Sequence, residues 1–399
     1  MSEIVVNTTT AGVQHQPATA ALGNTHFFVV WEDGSDLTIK GQIIQANGNK
    51  SGGEFVISTT PTGENTKVQL PTIASSGPGP IVAWIEDALN PPGPRPHVKL
   101  QKFDRDGNKR GGQIQVSTTD VDPNHRPALT GTIDGGFLVS WVDARRDQRI
   151  RARRFDFDGS PEGDEFKVNT TDGFHEAPIV ARLDNGNHVI AWRSDPSPAG
   201  GGALIFRIFD LEGSPVVGET RPNVVDGFRG AKAMTILPNG RFVIAHVMGL
   251  PLSDLGEPRG VVHANVFEPD GTSASIPIFA TSGQEINCSS PTLAPLSGGR
   301  FLLAWTQKRA DTFETTPSVR ARVFAVGQGE PVGQEVGVNT TTPDERFSVF
   351  RVSAATIFVP GEREAGYVAW ADNRRKGEDT SDFAVRGREL PILPSGGVG

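Results

Sequence analysis

The chain has 399 residues, 36% hydrophobic and 21% charged, with 47 Gly, 30 Pro and 22 Phe, a turn-rich globular composition too apolar for a disordered chain. A formal net charge of −8 argues against nucleic acid or anionic lipid as a partner, since both call for clustered Lys and Arg. Cys288 is the single cysteine, which excludes an internal disulfide framework and a cysteine-based metal site.

The N-terminal MSEIVVNTTT has neither a basic n-region nor an apolar h-region, and no apolar run approaches transmembrane length. The expectation is a protein that is extracellular by a route reading no N-terminal signal, or cytoplasmic, without membrane insertion. From there onward an apolar run ending in Trp recurs: FFVVW at Trp31, IVAW at Trp84, FLVSW at Trp141, HVIAW at Trp192, FLLAW at Trp305 and YVAW at Trp370, with FVIAH placing His246 in the remaining slot. The period of roughly 57 residues lies near the range of four-stranded propeller blades, and seven such units fill the chain.

Each unit divides into four short segments rich in β-branched and aromatic residues and separated by turn chemistry. In the third unit these are RPALTGT, FLVSW, IRARRFD and EFKVNTT, linked by DGG, by DARRDQR and by FDGSPEG. The turn before the fourth segment recurs as ANGN, DRDGN, DFDGS, DLEGS and EPDGT, with Gly where a hairpin needs positive φ. No stretch sustains a 3.6-residue apolar period. The expected fold is therefore all-β, a single seven-bladed β-propeller domain over 1–399. Its blades span about 12–60, 66–119, 123–171, 175–226, 229–281, 286–341 and 346–390. The last unit lacks a fourth strand, and EIVVNTT at 3–9 matches EFKVNTT and EVGVNTT. The N-terminal strand is thus predicted to complete blade seven and close the ring, leaving no open sheet edge.

The phrase VNTT, a short loop, Q..P, an alanine-rich strand and FVVW resembles a repeat of bacterial secreted proteins, including N-terminal regions of RTX-type exoproteins, over all seven units. The resemblance implies a bacterial secreted propeller. The GGxGxDxUx calcium nonapeptides of such exoproteins are absent.

Function is sought where the blades disagree, since uniform blades carrying unequal loops describe a scaffold presenting a surface. A first set stands two residues before the recurring Pro: His15, Gln69, His125, Glu176 and Ser289, with Gly230 and roughly Phe347 in the degraded units. Converging on the channel axis, His15, His125 and Glu176 could serve as acid–base or metal residues; polar lining of a wet channel mouth is the plainer explanation. A second set is the charged rim, Asp143, Arg145 and Arg146 in blade three and Asp372, Arg374 and Arg375 in blade seven. Paired Arg could fork onto carboxylates or sulfates of a sugar polymer, although Arg151, Arg153, Arg386 and Arg388 are placed to pair with the two Asp across their hairpins. The six Trp occupy one repeat position and read as packing between blades rather than sugar platforms. The DxDG turns at Asp104–Asp106 and Asp156–Asp158 resemble calcium-loop fragments without the further acidic ligands, so no cofactor is expected, with calcium the weak exception. The sequons at Asn7, Asn169 and Asn339 recur with the repeat and do not imply glycosylation.

No GxSxG, HExxH, phosphate-binding loop or regular Asp-box array is present. The reading these features favour is a non-catalytic recognition protein that binds an extracellular glycan or a protein partner through its loop-bearing face. The alternatives are a polysaccharide hydrolase or lyase with its site at the channel mouth, and a structural assembly module.

Overall fold

The computed structural model describes the whole chain except residues 1, 60–64, 78, 91–92, 145–148, 196–201, 223–227, 254–255, 257, 275–276, 282–285, 310–316, 327–330, 341–348, 359–363, 374–382, 394–396 and 399. The described residues form 28 strands and no helix. The strands make antiparallel four-stranded meanders, two of which are joined into an eight-stranded sheet by one parallel bridge, Gly260 to Asn287. The first strand of each unit is innermost: Gln14–Leu22, Thr66–Ser76, Ala128–Gly131, Phe174–Arg182, Phe228–Ile236, Ile286–Leu296 and Val349–Phe358. Successive inner strands touch, and Val349–Phe358 touches Gln14–Leu22. The sheets therefore ring a central channel as blades of a β-propeller.

The second strand of each unit is apolar throughout because a neighbouring sheet covers each face. In His26–Asp33 the alternation of side chains divides the strand between two cores. Phe27, Val29 and Trp31 pack with Ala355, Ile357 and Tyr367 of the last unit, while Phe28 and Val30 pack with Val82, Trp84 and Phe103 of the next. All six Trp side chains are fully buried, and each lies against the preceding unit: Trp84 with Val30, Trp141 with Ile85, Trp192 with Val142, Trp305 with Val247 and Trp370 with Val319. The expectation of packing rather than sugar stacking holds for every one.

The VNTT phrase has two structural tasks. Its Asn, or the Ser or Thr in its place, accepts a hydrogen bond from a backbone N–H at the start of the third strand. Asn7 takes Val385 N at 2.9 Å, Asn169 takes Ile150 N at 2.9 Å and Asn339 takes Val319 N at 2.8 Å. Ser58, Ser117 and Thr281 do the same for Ile39, Val98 and Val262. Asn7 and Asn169 are buried in this task, so neither sequon is presented to solvent.

The Thr residues that follow are held by an acidic side chain of the next unit's outer strand. Glu54 accepts from the backbone N–H groups of Thr8 and Thr9 at 2.7 and 3.1 Å. Glu165 grips Thr118, Glu219 grips Thr170 and Thr171, and Glu3 grips Thr340. These four clasps each join a blade to its successor, and two of them involve the N-terminal segment. Ile4–Val5 pairs antiparallel with Ala384–Pro391 in the register Ile4 to Gly387 and Val5 to Arg386, the partner that the match of EIVVNTT to the other fourth strands predicts.

Candidate functional site

Six of the inner strands carry a register shift near the mouth end, and Ala128–Gly131 pairs without one. In the first unit His15 faces Glu32 and the next paired residue, Ala18, faces Val30, so Gln16 and Pro17 oppose Trp31 alone. The same two-against-one bulge sets Leu70 and Pro71 against Trp84, Ala177 and Pro178 against Trp192, and Ser290 and Pro291 against Trp305. The extra residue adopts left-handed backbone, with φ of 58° at Gln16, 55° at Leu70, 50° at Ala177, 49° at Ser290 and 35° at Arg351. Non-glycine residues there cost on the order of 1–3 kcal/mol each. Four of these five residues precede a Pro, whereas Arg351 precedes Val352, so the bend does not require the Pro.

The bulges bring the predicted mouth residues into place. His125 Nε2 lies 3.7 Å from Glu176 Oε2 and 3.9 Å from Asp122 Oδ2, joining the third and fourth units. Glu176 is held on its other oxygen by Arg193 Nη1 at 2.5 Å, and Arg193 Nη2 reaches Asp195 at 3.1 Å. The result is a relay His125–Glu176–Arg193–Asp195 that orients one imidazole. His15 forms a second imidazole–carboxylate pair, with Glu32 at 3.5 Å, whose other oxygen accepts from Leu70 N–H at 3.1 Å. Gln69 donates to the Pro123 carbonyl at 2.9 Å, and the Ser289 and Thr306 hydroxyls lie 2.5 Å apart. Those two close the rim rather than join the pairs. The side chains of 228–231, and the whole of Phe347, lie outside the described residues.

Inward of the pairs, a cavity of about 370 Å³ occupies the channel and is lined by Arg126, Lys232 and Arg351, with no carboxylate among the described residues. Arg351 is the bulge residue of its unit, Arg126 stands at the same repeat position of the third unit, and Lys232 stands where five other units have Pro. Arg126 crosses to the first and second units, donating to Gln16 Oε1 at 2.9 Å, to Gln16 O at 3.2 Å and to Pro71 O. Desolvation in the protein mass around the channel pulls all three cations below their ordinary ranges. For Arg126 the Arg351 charge adds to this and Glu32 opposes; Arg351 falls to about 10. Lys232 falls to about 7, with Glu176 opposing and Arg193 adding. The Arg351 side chain is nevertheless exposed, so solvent screens its charge. These cations, with Glu32 and Arg193, are the mouth residues that sequence reading misses. The available signal was disagreement between units at the X-Pro position.

The rim set fares differently. Asp143 and Asp372 are fully buried, which corrects their assignment as ligand groups. Asp143 binds Arg151 at 2.7 Å, and Asp372 binds Arg386 and the Trp370 indole N–H, each at 2.9 Å. Burial turns each Asp–Arg pair into a strand staple. Arg145, Arg146, Arg374 and Arg375 lie outside the described residues. The DxDG carboxylates serve their own turns: Asp104 accepts from Asp106 N and Asn108 N, and Asp156 from Ser160 N. Among the described residues no group of three or more His, Cys, Asp or Glu is placed to hold a metal ion.

The fold and mouth together define a β-propeller with paired imidazole–carboxylate groups around a cationic throat. No family model matches the chain, and no curated protein matches it. Solved structures share its fold. An ulvan lyase of polysaccharide lyase family PL25, bound to -[GlcA(1-4)Rha3S]-, aligns with a TM-score of 0.58 at 12% identity over 99% of this chain and 97% of its own. A protein of unknown function from Dyadobacter fermentans aligns with a TM-score of 0.52 at 13% identity, over 83% and 96%. An α-L-arabinofuranosidase variant from Fusarium graminearum, complexed with an iminosugar inhibitor, aligns with a TM-score of 0.50 at 12% identity, over 80% and 92%. At these identities the likeness carries the fold. The functional expectation of a non-catalytic recognition protein is corrected by this comparison, because the neighbours of known activity are carbohydrate-active enzymes, the class given above as the alternative.

Proposed function

We propose that this chain cleaves a polysaccharide at the mouth of the channel of a seven-bladed ring, with His125 and Glu176 as its central pair. The observation that supports it is the contact of the His125 imidazole with Glu176, itself fixed by Arg193 and Asp195. An imidazole is a side chain suited to taking and giving protons in general acid–base chemistry, and the carboxylate fixes its orientation. Breaking a glycosidic bond, by elimination or by hydrolysis, needs one proton taken and one delivered. The mouth supplies two imidazoles, His125 and His15, each beside a carboxylate. Contacts of 3.5–3.9 Å are of the length that tightens when substrate arrives.

The shared fold of a polysaccharide lyase and an arabinofuranosidase favours the same class of reaction, with a glycan as partner. The test is to incubate the protein with a panel of neutral and acidic polysaccharides and follow both new reducing ends and ultraviolet absorbance of unsaturated products. Reducing ends alone mark hydrolysis, and both together mark elimination. Neither signal on any member of the panel overturns the proposal.

A further inference from the structure

The throat beneath the two imidazole pairs is unlike the rest of the molecule. The chain carries a net charge of −8, yet three cationic side chains from three different units line one cavity that no carboxylate among the described residues lines. Desolvation there disfavours the charged form of all three, and the Arg351 charge adds to this at Arg126. A fold that repeats one bulge around a ring had neutral solutions at hand. Leu70, Ala177 and Ser290 occupy the bulge position in other units, and Pro17, Pro71, Pro127, Pro178 and Pro291 occupy the position of Lys232.

Two further donors at the same place lack partners. Arg126 Nε is buried and finds no acceptor among the described residues, although the rest of its guanidinium is engaged. Thr19, 8% exposed and lining the same cavity, has a hydroxyl with no partner there. A buried donor without an acceptor costs about 1–3 kcal/mol, and an anion in the throat satisfies both donors while relieving the repulsion among the cations.

We propose that the throat lined by Arg126, Lys232, Arg351 and Thr19 is a binding subsite for an oxyanion substituent of the sugar chain, a carboxylate or a sulfate ester. It therefore selects anionic polysaccharides. The inference rests on the polysaccharide reading of the mouth and deepens it. Guanidinium groups suit planar and tetrahedral oxyanions alike because their donors form a fork. A cavity of about 370 Å³ is in the range of a small-ligand site and takes one substituted sugar rather than a folded partner. A substituent anchored there holds its sugar at the inner edge of the mouth, next to Glu176, whose charge Lys232 feels.

The test is isothermal titration of the full chain with glucuronate, glucose 6-sulfate, inorganic sulfate and glucose. Both anionic sugars are expected to bind and glucose is not. Arg351→Gln is expected to weaken anionic-sugar binding by roughly tenfold or more, the scale of one lost charge-assisted hydrogen bond. Arg351→Lys retains most of it, and Lys232→Met, with its different position, weakens it as well. Equal binding of glucose and the anionic sugars overturns the subsite. So does binding of inorganic sulfate alone, or affinity unchanged in both Arg351→Gln and Lys232→Met variants that melt no lower than the parent. Anion binding needs no turnover. Cleavage of a neutral polysaccharide without anion binding refutes this inference alone, and anion binding without cleavage of any polysaccharide refutes the catalytic reading alone.

Discussion

Replacing Asn7 by Ala tests the ring closure in a way that the molecule itself controls. Asn7 Oδ1 accepts the buried Val385 N–H at 2.9 Å across 378 positions of sequence, and its amide donates to Thr9 O at 2.8 Å. The truncation leaves the Val385 N–H without its acceptor, at about 1–3 kcal/mol, and removes a second hydrogen bond worth about 1 kcal/mol, so the expected loss is about 2–4 kcal/mol. Asn169 makes the same two bonds within one unit, to Ile150 N and Thr171 O. Asn169→Ala is thus the matched control, with the same expected loss. Chemical denaturation followed by Trp fluorescence reads both, since all six indoles are buried between blades. Ser58 and Ser117 fill the same role elsewhere, so Asn7→Ser should recover part of the loss. A silent Asn7→Ala beside a destabilising Asn169→Ala would refute the closure of the ring by residues 3–9.

Glu54 gives an acid-sensitivity prediction. Its burial raises the pKa, but hydrogen bonds from Thr9 and Thr8 outweigh this and hold the carboxyl near 2. The stability it supplies is complete above about 4.5 and is lost as pH falls toward 2, so Glu54→Gln should flatten the acid limb of a stability–pH curve. Lys232 behaves oppositely. Its folded pKa near 7 lies below the ordinary value of 10.5, so the unfolded chain binds more protons between those values and stability rises with pH across that window. Glu176 and Arg193 face it, and Arg126 and Arg351 share its cavity. Lys232→Met should stabilise most below pH 7, with the gain fading toward pH 10.5 in thermal melts. Cys288 is buried and its thiol is pushed up to about 12, chiefly by that burial. Iodoacetamide should leave it unmodified in the native protein and label it in urea, as read by intact mass.

The blades were readable because their determinants are local and repeated. Trp31 and its counterparts mark the second strand, and period-two alternation assigns Phe27 and Phe28 to opposite neighbours. The match of 3–9 to 165–171 named the closing strand because both segments end in the same NTT. What was not readable depends on pairing between units. Glu54, Glu165 and Glu219 look like ordinary exposed residues of a polar outer strand, since the Thr backbones they hold belong to the preceding blade. Asp143 and Asp372 read as rim charges because polarity suggests exposure; burial with Arg151 and Arg386 reversed that. His125 and Glu176 were named from one repeat position, whereas Arg193, a strand away, carries no mark in sequence of its place behind Glu176. The cations of the throat were hidden by the overall negative charge, and only their departure from a repeat of small residues and Pro sets them apart.

The most direct test of the account is the rate of polysaccharide cleavage by the parent chain, His125→Ala and Glu176→Gln on the best substrate of the panel. The account predicts cleavage by the parent and a loss of roughly 10²–10⁴ in kcat for His125→Ala, the range for a removed general acid or base. Glu176→Gln, which loses the carboxylate that orients the imidazole, should show a smaller loss. Unaltered cleavage by a folded His125→Ala variant would contradict the placement of the chemistry at the channel mouth.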